Sequence, residues 1–203
     1  MDNKIKYGLQ NMYVAKLTKT LTDGEYTYTY ATPKHVPGAV SLSLSPQGES
    51  TTFAADNNSS YFRTNVDSGY SGDLELALIP DWFRSDYLNE TADGNGILVE
   101  NSENTETVYF ALLFQVEGDQ HGVRHVLYNC SCSRPNLNGQ TKENSISPQT
   151  ETLTITADPR EDGLVKARCD AEASAEIYNT WFTAVYSPAA SSDPDPDPEN
   201  PEG

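Results

Sequence analysis

Val40-Ser41-Leu42-Ser43-Leu44-Ser45 alternates apolar and hydroxyl side chains without a slip. A β-strand points successive side chains to opposite faces, so this run presents leucine to a core and serine away from it. The pattern recurs. Leu74 and Leu76, with Leu78 beyond, alternate with Asp73, Glu75 and Ala77. Leu153 and Ile155 alternate with Thr152, Thr154 and Thr156, and Tyr26, Tyr28 and Tyr30 with Thr27 and Thr29. Breakers separate these runs at Thr22-Asp23-Gly24, Pro46-Gln47-Gly48, Asp93-Gly94-Asn95-Gly96 and Asn138-Gly139. Thr107–Val116 and Val123–Cys132 read as a hairpin across the loop 117–122. One packed face per strand is the habit of antiparallel sheets. The expectation is a mainly β chain, a two-sheet antiparallel sandwich or barrel.

Two segments depart from period two. Pro80 opens a stretch in which Phe83 and Tyr87 lie four apart, as on one helix face. Tyr178, Trp181, Phe182 and Val185 fall at i, i+3, i+4 and i+7, predicting a second short helix laid over a sheet. There is also an internal echo. Residues 43–52 and 145–154 agree at six of ten positions, and Trp82-Phe83 with Tyr87 is repeated by Trp181-Phe182 with Tyr186. This suggests two related halves, around 43–87 and 145–186.

The chain has 203 residues, and its Lys plus Arg total of 13 against 30 Asp plus Glu gives a net charge of -17. Affinity for nucleic acid or anionic membrane comes mainly from cations, so this balance argues against either as a tight ligand. Apolar residues make up 36%, mean hydropathy is -0.60, and no apolar run approaches a membrane span. Residues 188–203 hold five prolines and five acidic residues and no base, a composition that cannot repay the entropy of ordering. The expected domain is therefore 1–187, with an acidic proline-rich tail after it. The first six residues lack the apolar stretch of a secretory signal, so the chain is expected to be cytoplasmic when made. Three cysteines, an odd count, fit a reducing compartment better than a disulfide framework.

Chemistry is harder to find. Gly69-Tyr70-Ser71-Gly72 lacks the spacing of a nucleophile elbow, and no phosphate loop or dinucleotide fingerprint occurs, so no cofactor is indicated. His121, His125, Cys130 and Cys132 have zinc-ligand side chains. On a continuous strand, however, Val126, Tyr128, Cys130 and Cys132 share one face and His125 takes the other. A bulge would be needed to unite them. Asp73 and Glu75 share a strand face, but so do many carboxylates in an acidic sheet. Neither a catalytic nor a metal site is assigned, and the reading is non-enzymatic.

Several motifs together resemble one family. They are Lys4-Ile5-Lys6-Tyr7-Gly8-Leu9, Pro37–Pro46, Gly69-Tyr70-Ser71-Gly72-Asp73-Leu74-Glu75, Ile79-Pro80-Asp81-Trp82-Phe83, Arg124–Cys130 and Pro148–Leu153. In this order, across residues 3–187, the chain is similar to the major tail (tail-tube) proteins of long-tailed phages and prophages of Gram-positive bacteria. The resemblance implies a virion structural protein whose β-sandwich forms hexameric rings. Rings stack into a tube around a tape-measure protein, meet terminator and distal tail proteins at the ends, and let DNA through the lumen. It implies assembly in the host cytoplasm and residence in the virion tail.

An acidic wall suits such a conduit, because each cation facing the duplex would add salt-sensitive adhesion. The expected lumen-facing residues are Ser41, Ser43, Asp73 and Glu75. Gly48–Gly69, together with residues 1–15, is expected to form arms linking rings. The alternative is a carbohydrate-binding or adhesive β-sandwich on a virion or cell surface, which would be monomeric with a saccharide affinity.

Overall fold

Leu42 lies directly opposite Leu74, and Leu74 opposite Leu153, so three of the alternating runs meet in register. The computed structural model describes residues 7–118, 121–141 and 148–188. Its strands are β1 (Leu9–Thr22), β2 (Glu25–Tyr30), β3 (Lys34–His35), β4 (Ala39–Ala55), β5 (Asn58–Leu76), β6 (Thr91–Ala92), β7 (Leu98–Val99), β8 (Phe110–Val116), β9 (Arg124–Cys132), β10 (Glu151–Ala157) and β11 (Lys166–Cys169). Helix α1 (Asp81–Tyr87) follows β5, and α2 (Ala175–Thr180) follows β11. The fold is mainly β, with one large antiparallel sheet in the order β2-β1-β8-β9-β10-β5-β4, β3 added to β1 and β11 added to β9. β6 and β7 make a small second sheet.

The large sheet curls upon itself. Met12 and Val14 of β1 share one buried cluster with Leu74 and Leu76 of β5, four places away in the sheet. Phe110, Leu112, Leu153 and Ile155 complete this main core, and α1 closes it with Phe83 and Tyr87. The Phe83 and Tyr87 rings lie 4.8 Å apart and Tyr87 meets Phe110 at 5.1 Å. Pro80 occupies the N-cap position with φ -63°, where a missing N–H costs nothing. Glu151 then pins α1 to β10: it accepts from the Ile79 N–H at 2.6 Å and pairs with Arg84 at 2.5 Å.

A second core lies on the opposite face of β1, β8 and β9. Ala15, Ala111, Leu113, Val126 and Tyr128 pack there beneath Trp181, with Ile177, Tyr178 and Phe182 around it. Trp181 is thus buried, with Tyr178, Phe182 and Val185 half-buried on the same side as the spacing predicts, although α2 ends at Thr180 and Trp181 is already its C-cap. Trp181 keeps right-handed helical dihedrals, so the helical spacing outlasts the helix.

β9 serves both cores by alternation, Val126 facing one and Leu127 the other, and a bulge then resets which face its later residues take. Phe110 pairs with Cys130 but Leu112 pairs with Leu127, so three steps on β9 match two on β8. An extra residue turns a strand over. This corrects the expectation of one face for Val126, Tyr128, Cys130 and Cys132: the first two enter the second core, and the cysteines enter the main one with Leu127.

The expected hairpin is β8–β9, starting at Phe110 rather than Thr107. The Asp23-Gly24 turn joins β1 to β2 with φ of 53° and 87°, as a two-residue hairpin requires. β2 is anchored from outside by the loop after β10. The Arg160 guanidinium stacks on Tyr28 at 3.8 Å and bonds Asp162 and Tyr30. Glu161 accepts from Lys19 at 2.8 Å and Tyr28 at 2.5 Å, which holds its carboxyl down at about 2. Burial, aided by that carboxylate, pushes the Tyr28 phenol up to about 12.

Of the two echoed halves, β4 pairs with β5, whereas β10 pairs with β5 and β9, and β11 with β9. Residues 145–147 of the echo and 189–203 of the tail lie outside the described residues.

Candidate functional site

Turning the leucines of β4, β5 and β10 inward leaves one continuous polar face outside. Ser41 pairs with Glu75 and Ser43 with Asp73, and across β5 Glu75 pairs with Thr152 and Asp73 with Thr154. The next row is Ser45, Ser71 and Thr156. The structure therefore brings the four singled-out residues, Ser41, Ser43, Asp73 and Glu75, onto one patch three strands wide. The threonines of β10 complete it. Their alternation was visible, but only the pairing of β10 with β5 shows that they share this face.

The hydroxyls hold the carboxylates. Glu75 accepts from Ser41 Oγ at 2.9 Å and Thr150 Oγ1 at 2.6 Å, and Asp73 accepts from Thr154 Oγ1 at 3.1 Å. Bonds from Thr150, then Ser41, lower the Glu75 pKa from its ordinary value by favouring the charged form. None of the nine residues in the three rows is a lysine, an arginine or an aromatic. A surface of fixed hydroxyls and negative charge can repel an anion and offers it no ion pair.

The same hairpin continues past the body as an arm. β4 continues through Pro46-Gln47-Gly48 rather than breaking there, with a shift in its register against β5. β4 is the edge strand of the sheet, and an edge is where proline is tolerated. From Ser45 to Ser68 every residue is exposed except Ala55, which is half-buried. The arm is a ladder with Thr51 opposite Thr64 and Phe53 opposite Phe62. Phe53, Tyr61, Phe62 and Val66 are each more than half exposed. Gly48–Ser68 thus projects from the body, with Gly69 buried at its base. Residues 9–15 do not: they belong to β1, where Met12, Val14 and Ala15 are fully buried between the two cores. Residues 1–6 lie outside the described residues.

The other constellation disperses into packing. His125 stacks on Phe114 with centroids 4.9 Å apart, and Cys130 is fully buried. Burial pushes the Cys132 thiol up to about 12 and the Cys130 thiol up as well. Among the described residues no group of three or more His, Cys, Asp or Glu is placed to hold a metal ion. Leu78, the end of one alternating run, lies beyond β5 and is exposed. No helix among the described residues is long and apolar enough to cross a membrane.

Neither protein-family models nor curated proteins match this chain.

Proposed function

We propose that the chain is the structural subunit of a tail tube of the phage type, closing with copies of itself into rings that stack around a DNA conduit. The observation that carries this reading is the Ser/Thr/carboxylate face, without Lys or Arg in its three rows, that ends on β4, a seventeen-residue strand hydrogen-bonded along one side only among the described residues. A long free edge is a template for another strand. Adding a neighbouring copy along β4 would extend the polar face sideways, and closure into a ring would turn it into a wall. Heterologous contacts that close make rings. The projecting arm supports stacking, because it offers apolar side chains at a distance from the body. The resemblance supplies hexameric symmetry, the tape-measure protein in the lumen, terminator and distal proteins at the ends, and the virion tail as location. A saccharide-binding module has less support, since the polar face carries no aromatic ring for a sugar to stack on.

The wall is tested by reversing its charge. Asp73→Lys with Glu75→Lys places two cations per subunit where the duplex passes. Tubes are expected to form normally, while DNA delivery falls on the order of tenfold and recovers with added salt. Delivery equal to the parent's, from tubes that carry both lysines, would remove this face from the lumen.

A further inference from the structure

The arm ends in apolar side chains and the body has an apolar groove, yet the two cannot meet within one molecule. The groove, about 380 Å³, opens at the base of the arm, between Leu9, Leu42, Leu44, Tyr70 and Phe114. All five pack against the edge of the main core and remain half-buried, so among the described residues nothing completes the core there. Phe53 and Phe62 face each other across the ribbon nine residues beyond Leu44. At strand rise that separation is about 30 Å, and an extended hairpin cannot fold back over it.

Charge complements shape. The arm carries Glu49, Asp56 and Asp67 against Arg63 alone, with Asp56 in the turn at the tip. The groove has Lys166 on its lining, with its Nζ bonded to the Tyr70 hydroxyl. A cation beside an apolar groove suits an apolar tip flanked by acid.

We propose that the arm tip of one copy docks in the groove of a second copy of this chain, seating Phe53 and Phe62 against Leu44, Tyr70 and Phe114 with Asp56 toward Lys166. Each copy then gives one tip and receives another. Such a head-to-tail contact repeats without closing, which is what stacking into a tube requires. The inference rests on the tube reading and adds the receptor to it.

Paired cysteines test it in assembled full-length protein. Phe62→Cys with Leu44→Cys, treated with a copper–phenanthroline oxidant that accepts the two thiol electrons, should join successive copies through disulfides into a ladder longer than dimers. Either single variant lacks the second thiol at this contact and should give no ladder. Tubes that form but give no ladder would overturn the docking while leaving the tube reading intact. Because cysteine could weaken the fold, Leu44→Trp provides a second route by filling the groove. Its circular dichroism should match the parent, while the concentration needed for elongation rises at least tenfold. Parent-like elongation of Leu44→Trp would also overturn the docking, and a folded parent that never assembles would overturn both.

Discussion

Gly69→Ala is expected to destabilise the domain by about 3 kcal/mol, seen as a lower denaturant midpoint. Gly69 has φ of +88°, a region that costs a side chain energy. A Cβ there would also lie 2.0 Å from the Ala157 carbonyl oxygen, and backbone cannot swing away as a side chain does. The position is the hinge between body and arm. Pro46 pairs with Tyr70 but Gly48 with Asp67, so β5 gains a residue at this point, and Asp67 Oδ1 accepts the Gly69 N–H at 2.8 Å. Strain here acts on the β5–β10 pairing that builds the polar face. Gly94 is the control: nothing lies within 4 Å of its added Cβ, and Gly94→Ala should shift stability by no more than about 0.5 kcal/mol. Equal shifts for the two would contradict the geometry.

Removing residues 49–66 should abolish tubes and leave the body folded. Gly48 and Asp67 are register partners, so an Asn-Gly turn can join them without disturbing the strands below. The arm contributes nothing to either core. The unfolding midpoint should therefore stay within about 0.5 kcal/mol of the parent's. Light scattering should find no species beyond single rings. Long tubes from the deletion variant would remove the arm from stacking; a collapsed body would show that the arm supports the fold.

The leucine runs of β4, β5 and β10 were legible because one face of each is packed and the other is not. Period two then states directly which residues face outward. Pro46 misled because a missing N–H is tolerated on an edge strand, and among the described residues β4 is the edge of the sheet. The bulge in β9 left no mark: neither Tyr128 nor Asn129 is a residue that advertises one. Residues 9–15 looked like an arm only by position in the chain, whereas their burial comes from β8 and β3 packing on either side. For the candidate site, alternation identified Ser41, Ser43, Asp73 and Glu75 as outward-facing. It could not show that Thr152 and Thr154 join them, because strand order depends on long-range pairing. Nor does a single chain contain what stands in front of that face, since only neighbouring copies determine it.

Electron cryomicroscopy of the purified chain over a range of concentrations tests the central claim most directly. The account predicts hollow tubes of stacked rings, with the serines of β4, the carboxylates of β5 and the threonines of β10 lining the bore. Isolated molecules at every concentration, or rings that turn this face outward and bring lysines to the channel, would contradict it.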